Sequence, residues 1–67
     1  MTGVVATFDD AAGLGTIVAD DGTTFAFHCT AIADGSRTIA VDTRVEFEPR
    51  PAGHGTYEAS AITPLTP

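Results

Sequence analysis

The sequence predicts an all-β fold, a small five-stranded Greek-key barrel, and three observations carry that prediction. No stretch of ten or more residues repeats apolar side chains at helical spacing. Short β-rich runs alternate instead with clusters of Asp, Gly and Pro. A chain of 67 residues buries only about 60% of the surface its unfolded form exposes, which favours one economical core closed on itself, with no long edge left open.

The first run spans Gly3 to Phe8, where the adjacent Val4 and Val5 break the alternation and suggest a bulge. Asp9, Asp10, Ala11, Ala12 and Gly13 form the first connection. The second run, Leu14 to Ala19, places Gly15, Ile17 and Ala19 on one face and Leu14, Thr16 and Val18 on the other. Asp20-Asp21-Gly22 follows, and Asp-Gly favours a tight turn with positive φ. In the third run, Thr23 to His28, Phe25 and Phe27 point inward while Ala26 and His28 point outward.

Cys29 to Asp42 reads as a crossover with Asp34-Gly35-Ser36 in its middle and one helical turn around Thr30 to Ala33. The fourth run, Thr43 to Glu48, turns Val45 and Phe47 inward against Arg44, Glu46 and Glu48. Pro49 and Pro51 close it at an edge or loop, because neither donates a ladder hydrogen bond. A hairpin through Gly53-His54-Gly55 leads into the last run, Thr56 to Ile62. A meander, a long connection and a closing hairpin make a barrel of OB type.

Residues 1–67 have room for a single domain. Cys29 stands alone, so no internal disulfide forms and stability rests on apolar burial in a reducing compartment. The N-terminus has no basic residue, and no apolar run approaches the ~20 residues that span a bilayer. These features point to a cytoplasmic protein with no membrane association. Nine Asp and Glu against three Arg give a formal net charge of -6. That is the wrong sign for holding nucleic acid mainly through phosphates, although it leaves binding by stacking open.

The residues resemble the bacterial cold-shock proteins, from Gly3 to about Ile62, with one residue fewer near Asp34 and one more near Ala52. Gly3-x-Val5, Phe8, Gly13-x-Gly15-x-Ile17 and Phe27-His28 fall in the register of the family's strands. So do Ala31-Ile32, Gly35, Arg37-Thr38, Val45-x-Phe47-Glu48 and Gly55. The resemblance implies a cold-shock OB barrel that binds single-stranded RNA or DNA by laying bases on exposed rings across its first three strands. Most of those rings are absent. Thr7 stands where the family has Trp, Leu14 and Thr16 fill the two ring positions of the first motif, and Ala26 and Cys29 those of the second. Ser36 replaces a loop ring and Ala12 a Lys.

The resemblance therefore implies Phe8, Leu14, Thr16, His28 and Arg37 as the nucleic-acid-binding residues. A stacked base contributes ~1 to 3 kcal/mol, so the loss of three platforms removes roughly 3 to 9 kcal/mol, about two to six decades of affinity. Phe8 has a packing reading beside its stacking one, and His28 is otherwise an exposed strand histidine without a task. A different class of function is a barrel that no longer binds nucleic acid and docks a protein partner or a second copy through Leu14, Ala26 and Cys29.

No enzyme, metal or cofactor is expected. Gly13 and Gly15 lack the third glycine and the helix of a phosphate loop; positive φ at Gly13 and close approach at Gly15 account for them. The Asp9-Asp10 and Asp20-Asp21 pairs lack calcium-loop spacing. Alternation along an extended run sends the His28 and Cys29 side chains apart, leaving His54 as the other nitrogen ligand. Cys29 with His54 lacks the orienting group and the pocket that a nucleophile needs.

Overall fold

Short turns set the register of the first three strands in the computed structural model, which describes residues 1–53 and 55–65. Strand β1 (Thr2–Asp9) ends where the Asp9 carboxylate accepts the backbone N–H groups of Ala11 and Ala12, at 3.0 and 3.2 Å. Gly13, at φ +67°, returns its N–H to the Asp9 carbonyl and starts β2 (Leu14–Ala19). The next turn closes through Gly22 at φ +90°, whose N–H donates to the Ala19 carbonyl, and leads into β3 (Thr24–His28). Both glycines occupy the left-handed region that a side chain disfavours. A 3-10 turn, Cys29–Ala31, overlaps the predicted helical turn at Thr30 and Ala31 and begins the crossover to β4 (Arg44–Gly53) and β5 (Thr56–Pro64).

The strands close in the order β1-β2-β3-β5-β4. β3 and β5 are parallel, joined at Ala26 and Glu58 and extended by a bridge between Ile32 and Ile62; the other pairs are antiparallel. This is the closed five-stranded all-β barrel that the strand pattern predicts.

Inside it lie Val5, Ile17, Ala19, Phe25, Phe27, Ile32, Val45, Phe47, Ala59 and Ile62. Phe25 meets Phe47 edge to face, with ring centroids 5.1 Å apart, the arrangement that sets positive ring edge against negative ring face. The predicted inward set of β2, β3 and β4 is buried, and Thr7 and Ala26 are exposed on the outside.

Among the described residues, three bulges bend the barrel. In β1, Val5 pairs with Ile17 and Thr7 with Thr16, which leaves Ala6 unpaired; the bulge lies one residue beyond the Val4-Val5 pair that suggested it. Ala61 is the extra residue of β5, at φ +49°. Ala52 is that of β4.

The fourth strand departs from prediction by running through both prolines to Gly53. Phe47 donates its N–H to the Met1 carbonyl, and alternation points the nitrogens of Pro49 and Pro51 the same way, beyond the end of β1. The missing donors fall on an open edge while the β5 side of the ladder stays paired. The predicted hairpin residue His54 lies outside the described residues.

Gly15 sits where strands crowd. A Cβ there would stand 2.6 Å from the Thr7 carbonyl oxygen and 2.6 Å from the Phe27 ring. Gly15→Ala is expected to destabilise by ~1 to 3 kcal/mol through overpacking, read as a lower urea midpoint with unchanged slope.

Asp20 helps to close β1 onto β4, accepting from the Thr2 hydroxyl and from Arg44 at 3.4 Å, the one ion pair among the described residues. The Thr2 hydrogen bond and then Arg44 hold its carboxyl below the usual carboxylate value. A lowered native pKa contributes stability above the unfolded value of about 3.9 that disappears as pH falls through the native one. Asp20→Asn is therefore expected to flatten the fall of melting temperature between about pH 5 and pH 3.

Candidate nucleic-acid interface

Strand pairing assembles the outer face from the residues left over by the core. Thr7 pairs with Thr16, Thr16 with Ala26, Ala26 with Glu58 and Glu58 with Arg50, one row across all five strands. At ~4.8 Å per strand the row is about 19 Å long. A second, shorter row runs from Asp9 to Leu14 to His28. The Thr7 and Thr16 hydroxyls hydrogen-bond to each other at 2.8 Å, a cross-strand pair that seals the first row where the rings are absent.

Leu14 is 53% exposed beside His28, and Thr16 is half-buried between Thr7 and Ala26. Thr16 also separates Leu14 from Val18, so the face is not one continuous apolar patch. Phe8 is half-buried and its ring stacks on Phe27, with centroids 5.9 Å apart and planes 12° off parallel. The Ala6 bulge reverses the alternation and turns Phe8 toward the core, which makes packing its main contact.

His28 is the exposed ring of the face. The Thr30 N–H donates to its Nδ1 at 3.2 Å, with the Thr30 hydroxyl 3.0 Å away. An accepting Nδ1 places the proton of the neutral ring on Nε2, which is left as a donor. Cys29 does not diverge from it, contrary to the alternation argument. The strand ends at His28, and the 3-10 turn brings Cys29 Sγ within 3.8 Å of His28 Nδ1. No group of three metal-ligating side chains forms among the described residues.

Arg37 is exposed in the crossover and shares a groove of ≈ 410 Å³ with His28, Cys29 and Ser36. In that loop the Asp34 carboxylate accepts the Ser36 N–H at 2.9 Å, a bond that holds its carboxyl below the usual value. With Arg44 engaged by Asp20, Arg37 and Arg50 are the arginines left beside the outer face, each lining a groove that His28 also lines. The structure thus brings together Leu14, His28 and Arg37, sets Thr16 in the adjoining row and commits Phe8 to the core side.

Arg50 and Glu58 went unassigned in the sequence. Nothing local marks them, because the parallel β3–β5 pair that carries the row to them joins strands far apart in the chain.

A family model described as 'Cold-shock' DNA-binding domain matches residues 1–65. A search of curated proteins found no match.

Proposed function

The chain belongs to the cold-shock domain family, a family of nucleic-acid-binding OB folds and not of enzymes, and from that premise we propose that it binds single-stranded RNA or DNA with reduced affinity. The observation that supports this most directly is the exposed His28 ring, its Nε2–H without a partner among the described residues, between Leu14 and the Arg37 groove. A base stacks on the ring or receives its proton, Leu14 supplies an apolar flank, and Arg37 neutralises a phosphate. Affinity is low because Thr7, Thr16 and Ala26 offer no π-face and because the net charge of -6 opposes the strand.

Titration of fluorescent oligo-dT and oligo-U at low salt tests the reading. His28→Ala is expected to weaken binding by about five- to 150-fold, the effect of one stacked base. Arg37→Ala is expected to lower the slope of log K against log salt by about 1, the release associated with one phosphate. Oligonucleotides that stay unbound at high protein concentration would sink it. The rival reading, self-association through Leu14, Ala26 and Cys29, would instead show as concentration-dependent mass in sedimentation equilibrium that is abolished by Leu14→Asp.

A further inference from the structure

The first row ends in a cleft of ≈ 340 Å³ whose walls include His28, Thr30, Arg50, Glu58 and Ser60. Several of these polar groups are already engaged. The Ser60 hydroxyl donates to the Glu48 carbonyl at 3.0 Å, and Thr30 is held against His28 Nδ1. Glu58 and Arg50 face each other across β4 and β5, yet no ion pair joins them, and no other charged partner engages either among the described residues. Ala26, paired with Glu58 on its other side, is too small to cover it. The cleft thus presents the carboxylate of half-buried Glu58 as acceptor, with a guanidinium and the His28 Nε2–H as donors, and all three lie at the end of the outer face.

We infer that this cleft is a base-reading subsite selective for guanine, an inference that rests on the nucleic-acid-binding reading above. A carboxylate accepts only, so it fits an edge that presents two adjacent donors. Guanine offers N1–H and the N2 amine side by side, with O6 next to them for Arg50 or His28. Adenine, cytosine and uracil each place at least one acceptor where Glu58 would sit, and the desolvated carboxylate would then go unpaired. Single strands are read in this way, on the Watson–Crick edge of unstacked bases. Arg50 also offsets the charge of Glu58, so the phosphate backbone can approach an otherwise acidic protein.

The test uses the full chain and hexathymidylates with one central position varied among T, G, inosine, A and C, followed by fluorescence anisotropy. The oligonucleotide with G is expected to bind about five- to 150-fold tighter than those with T or A, the discrimination of one bidentate contact. Inosine, which keeps N1–H and O6 but lacks the N2 amine, is expected to fall between, and it probes the contact without altering the protein. Glu58→Gln removes a negative charge and strengthens binding to every phosphate chain, so the readout is the ratio of G to T, expected to drop to near one in a variant whose thermal melt is unchanged. Equal binding of all five oligonucleotides by the wild type overturns the guanine subsite while leaving single-strand binding in place. A G preference that survives Glu58→Gln overturns the role of the carboxylate. Absence of binding to any of them overturns both readings.

Discussion

Leu14→Phe combined with Thr16→Phe is expected to tighten binding to oligo-dT by roughly one and a half to four orders of magnitude. Both side chains point outward from β2, Leu14 beside His28 and Thr16 between Thr7 and Ala26. A ring at either place has solvent in front of it, and one at position 16 has small neighbours, Thr7 and Ala26, on its flanks. Each stacked base contributes ~1 to 3 kcal/mol, so two rings add about 2 to 6 kcal/mol if their effects sum. The cost to the fold is small: the Thr7–Thr16 hydrogen bond contributes about 1 kcal/mol at most, and no core atom is disturbed. Anisotropy titrations of the wild type, both single variants and the double variant measure the gain, and thermal melts verify the fold. An unchanged affinity in the double variant would show that the strand does not lie across β1 to β3.

Phe47→Ala is expected to remove about a third or more of the protein's stability. Phe47 is 1% exposed, the largest fully buried side chain, and its ring is held edge to face by Phe25. Truncation of a buried Phe costs ~3 to 5 kcal/mol through lost transfer free energy and the cavity left behind. A domain of this length has a total stability of roughly 3 to 10 kcal/mol, so one substitution removes a third of it or more. Circular dichroism during a urea titration measures the loss. Glu48→Ala, one residue away but pointing outward, is expected to stay within about 0.5 kcal/mol of wild type. A comparable loss in the two variants would contradict the orientation of β4.

Much of the barrel is legible in local sequence. Phe25 and Phe27 against Ala26 and His28, or Val45 and Phe47 against Glu46 and Glu48, carry the period of two that separates core from outer face. Asp9, at the end of β1, and Asp21, in the turn after β2, carry carboxylates that accept backbone N–H groups two or three residues on, a short-range device visible before any fold is known. Leu14, Thr16 and His28 are placed on the outer face by the same alternation.

Alternation fails where pairing partners decide. The two prolines read as the close of the strand at an edge or loop because a missing N–H is costly inside a sheet; the pairing of β1 with β4 places them at an edge, beyond the Thr2–Glu46 pair, and the strand runs on through them. Phe8 lies one bulge beyond the point to which alternation can be counted from Val5, and the position of that bulge depends on how β1 meets β2. His28 and Cys29 come into contact because the strand stops between them.

By itself, then, the sequence determined the inward side chains of the second, third and fourth strands, where the first two turns fall and that the outward positions of the first three strands carry few rings, because each of these depends on residues a few positions apart. Tertiary structure alone decided the rest: the commitment of Phe8 to Phe27, the groove shared by His28 and Arg37, and the row that carries the outer face on to Glu58 and Arg50. Those placements follow from barrel closure and from the parallel contact of β3 with β5, and pairings between distant segments are set by the packing of the whole core.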